Sequence, residues 1–226
     1  MKIHPLNDYS VYRLKPEASK FLQAYTSQVP QAPKGAFLDI KGNVIVIYRH
    51  ILLDSDESIM TLPSQYETLF LQHVQKYLPL YATNITTLPD WKVYFAWDID
   101  ATDFPDHHAI PESKGFWLLG PALTNRPFEP EDAFTQFRVT HGIPLQGRDY
   151  AHQMLLNIGE SPDYVSFTKG CYLGQEIIAR VHFRSRPPYR LSVVNESELP
   201  DKDREQLTSR IEDTRGRVQG FAFMKN

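Results

Sequence analysis

Apolar residues recur at helical spacing in several parts of the chain. Residues 16–28, 64–78 and 130–141 each place their apolar side chains three and four residues apart, which predicts amphipathic helices. Pro16 suits the first turn of the first helix, and Pro79 ends the second. Gly142 is predicted to cap the third helix, because glycine readily adopts the left-handed conformation found at helix C-termini.

Strand patterns fill most of the remaining chain. Residues 36–40 and 44–48 are rich in β-forming side chains and are separated by Lys41-Gly42-Asn43, which predicts a hairpin. Further strands are predicted at 59–62, 91–97, 115–120, 164–167, 189–194, 207–213 and 217–224. Because helices and strands alternate irregularly, the pattern favours an α+β fold over a doubly wound parallel sheet. The pair Pro187-Pro188 predicts a boundary between domains at 1–187 and 188–226.

The composition indicates a soluble globular protein. Among 226 residues, 42% are hydrophobic, 23% are charged and the net charge is −3, which argues against binding nucleic acid mainly by electrostatics. No apolar run reaches membrane-spanning length, and residues 1–15 lack a signal peptide's apolar core. One cysteine fits a reducing compartment, so we expect a cytoplasmic protein without nucleic-acid or membrane partners.

Two conventional site patterns fail on their spacing. The acidic loop 98–114 would need glycine and glutamate at the sixth and twelfth positions of a calcium loop, where Asp103 and Ala109 stand. Gly170 and Gly174 are not followed by the Lys-Ser or Lys-Thr of a phosphate loop.

A basic stretch follows the glycines and has two interpretations. It is either a solvated surface or a patch for an anionic ligand tail, and it consists of Arg180, His182, Arg184, Arg186 and Arg190.

Cys171 is the only cysteine and lies in an unusual local sequence. Lys169 precedes it by two residues, Gly170 and Gly174 flank it, and 175–180 has a helical pattern. A nearby cation and a helix N-terminus both favour the thiolate, the form that acts as nucleophile and metal ligand. The alternative is a small apolar core residue.

Cys171 by itself limits the chemistry. An iron–sulfur cluster needs up to four thiolates, so Cys171 would be a single ligand to a shared cluster. A cysteine-protease pair with a histidine lacks a family signature here.

The segment around Cys171 resembles a known signature. Residues 164–180, YVSFTKGCYLGQEIIAR, resemble the YgfZ family, which is related to the aminomethyltransferase (T-protein) of the glycine cleavage system and includes iron–sulfur assembly factors. Seven positions match its hallmark, namely Lys169, Gly170, Cys171, Tyr172, Gly174, Gln175 and Glu176. Weaker similarity covers 138–144, 21–28, 36–48 and 217–225.

The resemblance implies a GcvT/YgfZ-like folate-binding scaffold of the α+β class. Residues 1–187 would form two interleaved subdomains that carry the signature loop 169–176. Residues 188–226 would form a shortened C-terminal antiparallel β-barrel-like domain, because fewer than forty residues follow Pro188. The implied ligand is tetrahydrofolate or a one-carbon derivative, held in a central cavity.

The same resemblance implies support for iron–sulfur cluster assembly or repair, with assembly proteins or client enzymes as partners. Cys171 and Lys169 would be the catalytic pair, with Cys171 also the single ligand to a transient shared cluster. The residues expected to bind the cofactor are Tyr172, Gln175, Glu176, Arg180 and Arg138. A folate-dependent aminomethyl-type transferase is the alternative, although no aspartate here aligns with the T-protein's catalytic one.

Overall fold

A computed structural model describes residues 2–54, 56–158 and 161–226 of the chain. Within them the strands are β1 Lys2–Pro5, β2 Tyr9–Lys15, β3 Lys34–Leu38, β4 Val44–Leu52, β5 Ser58–Pro63, β6 Asn84–Thr87, β7 Lys92–Trp97, β8 His108–Glu112, β9 Gly115–Gly120, β10 Tyr189–Asn195, β11 Thr208–Glu212 and β12 Val218–Lys225. The helices are α1 Ala18–Tyr25, α2 Glu67–Val74, α3 Glu131–His141, α4 Leu155–Ile158, α5 Ser161–Tyr164 and α6 Gln175–Arg184.

The strands form three sheets, and every strand pair within them is antiparallel. One sheet has the order β3-β4-β5-β2-β6, the second β1-β7-β9-β8, and the third β10-β12-β11. The predicted α+β class is therefore confirmed. The third sheet follows Pro188, whereas the position of the domain boundary stays a prediction. No helix in the described residues combines the length and the apolar character needed to cross a bilayer.

Most of the predicted elements form. The helix predicted over 16–28 is α1, but it begins at Ala18 after the N-cap Glu17, so Pro16 precedes the helix and does not lie in its first turn. The predicted hairpin is β3–β4, and α3 ends at Gly142, whose φ of 65° puts it in the left-handed region. The helix predicted at 64–78 forms over a shorter range, as α2. A 3-10 turn precedes α2, and a second 3-10 turn follows it. Pro79 at the start of the second 3-10 turn prevents a regular continuation.

Two predictions about strands are wrong. Residues 164–167 do not form a strand, because α5 ends at Tyr164 and the only described backbone cross-link that follows is from the Ser166 N–H to the Ser27 carbonyl. Conversely, β8 lies inside the segment predicted as a solvated loop, where it pairs with β9 from His108 to Glu112. The five residues of β8 include a proline and show no alternating strand pattern, so pairing with β9 is what forms the strand.

A buried ion cluster joins the first two sheets. Glu112 at the end of β8 accepts hydrogen bonds from Lys34 of β3 at 2.8 Å and from Arg49 of β4 at 3.2 Å. Burial alone would raise the pKa of Glu112, but Arg49 and Lys34 outweigh it and lower the pKa to about 2. The guanidinium of Arg49 also lies 3.9 Å from the centre of the Trp117 ring. Glu112 therefore stays ionised and links two sheets across the interior.

Acid should destabilise the protein through His50. Its ring nitrogens contact Ser58 Oγ and the Ala32 carbonyl, and burial lowers its pKa to about 4 from 6.5. The unfolded chain therefore binds more protons between these values, so stability is lost as the pH falls through this window. We expect the free energy of unfolding to drop by about 2 kcal/mol more between pH 7 and 5 than in His50→Gln. Urea unfolding at both pH values checks this, and equal losses in the two proteins would contradict it.

Candidate functional site

The segment from Lys169 to Glu176 is held against the β3–β4 turn by two glycines. Gly174 is the N-cap of α6 with φ 84°, and a Cβ there would lie 2.5 Å from the Asp39 carbonyl oxygen. Gly42, with φ 77°, faces Gly174, and a Cβ on it would lie 3.1 Å from Ile178 of α6. Gly174 therefore has no room for a side chain, whereas a side chain at Gly42 would adopt an unfavourable left-handed conformation and press on Ile178.

The turn itself is fixed by one carboxylate. Asp39 accepts hydrogen bonds from the N–H groups of Lys41 and Asn43 and from the Asn43 side-chain amide. His152 Nε2 lies 3.4 Å from the same carboxylate. The turn is thus a preformed support for the start of α6.

Alanine substitutions at the two glycines of the segment should differ in effect. Gly174→Ala places a methyl group against the Asp39 carbonyl in a left-handed conformation, and we expect it to cost about 2 kcal/mol of unfolding free energy. A Cβ on Gly170 would meet nothing nearer than Gln23 Nε2 at 3.9 Å, so Gly170→Ala is the matched control. Urea unfolding measures both. Equal effects would show that the close approach to Asp39 is not what requires glycine.

Lys169 is buried and binds the C-terminal end of α1. Its Nζ donates to the carbonyl oxygens of Thr26 at 2.6 Å, Gln28 at 3.0 Å and Leu22 at 3.5 Å. Burial lowers the pKa of Lys169 to about 8, so the amine is still mostly protonated at neutral pH. Its described hydrogen-bond acceptors are main-chain carbonyls in the last turn of α1 and just beyond it. Stabilisation of a Cys171 thiolate by this charge stays a prediction.

Cys171 is exposed, whereas the side chains of Lys169 before it and Tyr172 after it are buried. The Tyr172 ring is buried in the core, its centre 5.2 Å from Lys169 Nζ, and burial raises its pKa to about 12. Lys169 and Tyr172 thus fix the backbone on both sides of Cys171, which leaves the thiol at the surface. The described residues contain no group of three or more His, Cys, Asp or Glu that could hold a metal ion.

Two of the predicted cofactor ligands lie at the start of α6. Gln175 and Glu176 occupy its first turn, and Glu176 accepts a hydrogen bond from Arg180 at 2.6 Å. The side chains of Glu176 and Arg180 are 83% and 59% exposed, so this pair faces solvent. Gln175 and Glu176 therefore lie at the start of α6 just after Cys171, while Arg180 lies in the middle of the helix and the Lys169 ammonium lies beside the end of α1.

Arg138, the remaining predicted cofactor ligand, forms part of a buried ion pair elsewhere in the protein. Its guanidinium is buried and donates to Asp149 at 2.6 Å, to Ser209 at 2.7 Å and to the Ile143 carbonyl at 3.2 Å. Asp149 is buried as well and also accepts from the Leu145 N–H. This packing joins α3 to β11, and a contact of Arg138 with a cofactor stays a prediction.

A groove of about 740 Å³ lies between the first two sheets and the C-terminal sheet. Apolar side chains on its walls include Val139, Ile143, Ile158, Tyr164, Leu191 and Phe221, and polar ones include Lys34, Glu112, Asp163, Arg190, Asp213 and Gln219. None of the seven predicted site residues lines it. The lining comes from segments that are far apart along the chain, so no local sequence pattern predicted it.

The groove and the Cys171 segment share one wall of the core. Tyr164, Leu191 and Phe221 belong to the same cluster of buried side chains as Tyr172 and Ile178. At the groove's polar end, Lys34 lies 3.3 Å from Asp163 and 5.0 Å from the centre of the Tyr164 ring. The groove thus offers aromatic and aliphatic surface beside a small set of charges, which is typical of small-molecule sites.

Sequence comparison finds limited similarity to known proteins. No family model matches the chain. It is 25% identical over 179 residues to an uncharacterized protein of Haemophilus influenzae, which covers 74% of this chain and 64% of that protein. It is also 31% identical over 77 residues to a mitochondrial iron–sulfur cluster assembly factor IBA57 homolog of Dictyostelium discoideum. That alignment covers 33% of this chain and 19% of the homolog. The chain therefore spans less than two thirds of the length of both relatives.

Structural comparison covers nearly the whole chain. The glycine cleavage system aminomethyltransferase T from Bartonella henselae matches 99% of this chain and 78% of its own, with a TM-score of 0.73 at 9% identity. At so low an identity the match defines the fold and leaves the activity open. The chain has the fold of the glycine cleavage T-protein, as the sequence predicted.

Proposed function

We propose that the protein is a YgfZ-like factor that binds a reduced folate and supports assembly or repair of iron–sulfur clusters in client enzymes. Cys171 is the functional thiol. The observation that carries the proposal is the exposed Cys171 within the matching segment Lys169–Glu176, on a loop fixed by Lys169, Tyr172 and Gly174. The iron–sulfur assembly relative and the T-protein fold support the same conclusion.

The groove fits tetrahydrofolate in size and lining. Its volume lies within the usual range for a drug-sized ligand. The flat pterin and aminobenzoyl rings suit the apolar wall of Tyr164, Ile143 and Phe221. Lys34 on the lining is bound by Glu112 and Asp163, and Arg190 on the same lining is the side chain that we assign to a carboxylate of the glutamate tail. Bound folate would supply a carrier for a one-carbon unit.

Cys171 fits a role as a single ligand or nucleophile. One thiolate is too few for a conventional cluster, so the cluster is cargo whose other ligands come from a partner. A fixed and exposed thiol can meet that partner without unfolding the loop. Client enzymes or assembly proteins are the proposed partners, in the cytoplasm.

Folate binding tests the first half of the proposal. Ser192 lies on the groove lining, so Ser192→Trp fills part of the groove, and we expect it to weaken tetrahydrofolate binding by about tenfold or more. Thr214→Trp adds the same side chain at an exposed turn and should leave the affinity unchanged. Titration calorimetry under anaerobic conditions measures both. Absence of binding to the wild-type protein would overturn the folate assignment.

Cellular activity tests the second half. The test uses cells whose chromosomal gene for this protein is deleted. Expression of Cys171→Ala in these cells should leave the activities of iron–sulfur enzymes as low as in cells that express no copy of the protein. Thr168→Ala changes an exposed side chain in the same segment and should restore them fully. If Cys171→Ala restored the iron–sulfur enzyme activities, the thiol would not be the functional group. Turnover of an aminomethyl donor by the purified protein would instead favour the transferase alternative.

A further inference from the structure

An exposed aromatic and basic surface lies at the C-terminal end of α6. We call it the α6 patch and define it as Phe167, His182, Phe183, Arg184 and Arg186. Phe183 is 69% exposed, although its ring centre lies 4.7 Å from that of His182 and 5.7 Å from that of Phe167. Phe167 and His182 stack at 3.8 Å. The two rings fix the base of a protruding phenylalanine.

The charge of this region is opposite to that of the chain. Residues 171–195 contain four arginines and a single acidic residue, Glu176, in a chain whose net charge is −3. Glu176 pairs with Arg180, so Arg184 and Arg186, both exposed, supply the positive charge next to Phe183. The patch therefore combines an apolar anchor with local positive potential.

The α6 patch and Cys171 lie on neighbouring parts of the chain. Phe167 precedes Cys171 by only four residues, and its ring packs on the C-terminal part of α6. Cys171 itself precedes the N-terminus of α6, a helix of ten residues that is about 15 Å long. A partner of ordinary interface size that covers the patch would also reach the thiol.

We propose that the α6 patch docks an acidic protein surface with an apolar pocket for Phe183, which brings that partner's ligand-bearing face to Cys171. This inference rests on the proposed function, because it names the surface that recognises the cluster partner. An exposed aromatic residue flanked by arginines is the composition typical of protein interface hot spots. Two exposed arginines on an acidic chain are a weak match to the dense negative charge of nucleic acid or an anionic membrane.

Site-specific cross-linking in cells identifies the occupant. A photoreactive p-benzoylphenylalanine replaces Phe183 in one strain and Leu80 in a control strain, because Leu80 is equally exposed, at 69%. We expect a nuclease-resistant protein adduct from position 183 that is absent from position 80. An adduct with nucleic acid or lipid, or the same adducts from both positions, would overturn the proposal.

The partner that cross-linking identifies is then purified without the cross-link, and its affinity for variants of the α6 patch is measured. These affinities test whether Phe183 and the arginines recognise an acidic surface. Phe183→Ser should weaken the affinity by about tenfold to thirtyfold, and Leu80→Ser should leave it unchanged. The double variant Arg184→Glu/Arg186→Glu should also bind weakly, whereas Arg215→Glu at an exposed turn should not. Lysines introduced at the partner's acidic contact residues should restore binding to the double variant. Unchanged affinity in the patch variants, or no such restoration, would contradict acidic docking.

The two proposals can fail separately. If Cys171→Ala abolishes iron–sulfur enzyme activity while the patch variants support it fully, the docking surface is wrong and the function stands. If folate does not bind and Cys171→Ala is fully active, the proposed function is wrong, whatever the patch binds.

Discussion

Replacing Arg138 with methionine is expected to lower the free energy of unfolding by about 3–5 kcal/mol, the cost typical of breaking a buried ion pair. The two side chains of the pair, Arg138 and Asp149, are 1% and 0% exposed. Without the guanidinium, the Asp149 carboxylate stays buried without its ionic partner, and Ser209 of β11 loses a donor. The variant should therefore loosen the contact between α3 and the C-terminal sheet.

Urea unfolding of Arg138→Met measures this loss. The double variant Arg138→Met/Asp149→Asn removes the stranded charge and keeps an acceptor for the Leu145 N–H, so it should recover part of the stability. Arg215→Met, at an exposed turn, is the matched control and should change stability by no more than about 0.5 kcal/mol. A loss in Arg138→Met as small as in the control would contradict a structural role for the pair.

Lys169→Met is expected to cost about 3 kcal/mol, because the buried Thr26 carbonyl loses its Nζ donor and the Gln28 carbonyl keeps Thr26 Oγ1 but loses the ammonium. Thr26 is the C-cap of α1 and Gln28 lies two residues beyond it, while the buried Lys169 ammonium also lies 3.5 Å from the Leu22 carbonyl in the last turn of the helix. Methionine keeps the length and the apolar stem but cannot donate a hydrogen bond. The substitution therefore tests the ammonium group rather than the packing.

Lys20→Met is the matched control, since Lys20 is an exposed lysine on the same helix that pairs with Glu17 at 2.9 Å. Exposed pairs of this kind contribute little, so its unfolding curve should nearly coincide with that of the wild type. Alkylation of Cys171 in folded Lys169→Met gives a separate result. A stability loss with unchanged alkylation would assign Lys169 to structure alone, and slower alkylation would support the predicted effect on the thiolate.

Local patterns predicted most of the elements, because helices and hairpins depend on spacing within a few residues. The apolar spacing of α1 and the turn at Gly42 lie within a few residues, so both elements are visible in local sequence. The strand predicted at 164–167 failed because pairing depends on a neighbour that the segment does not have. β8 was not predicted as a strand, because its own sequence does not suggest one. It forms a strand because β9 lies beside it and supplies the pairing.

The site was predicted only in part. The Lys169–Glu176 segment is contiguous, so its pattern is visible without a structure. The groove takes its lining from all three sheets, and its charged end depends on Lys34 of β3 and Glu112 of β8 lying 2.8 Å apart. No single window of the sequence contains both.

The chain's residues alone establish an α+β protein whose one cysteine lies in a specific segment at the start of a helix. Folding decides what the neighbours of that cysteine do. Lys169 lies 143 residues beyond Thr26 yet donates to its carbonyl, and Gly174 is required because the Asp39 carbonyl lies against it. Both contacts are long-range, and their energy depends on packing and burial that no local pattern encodes.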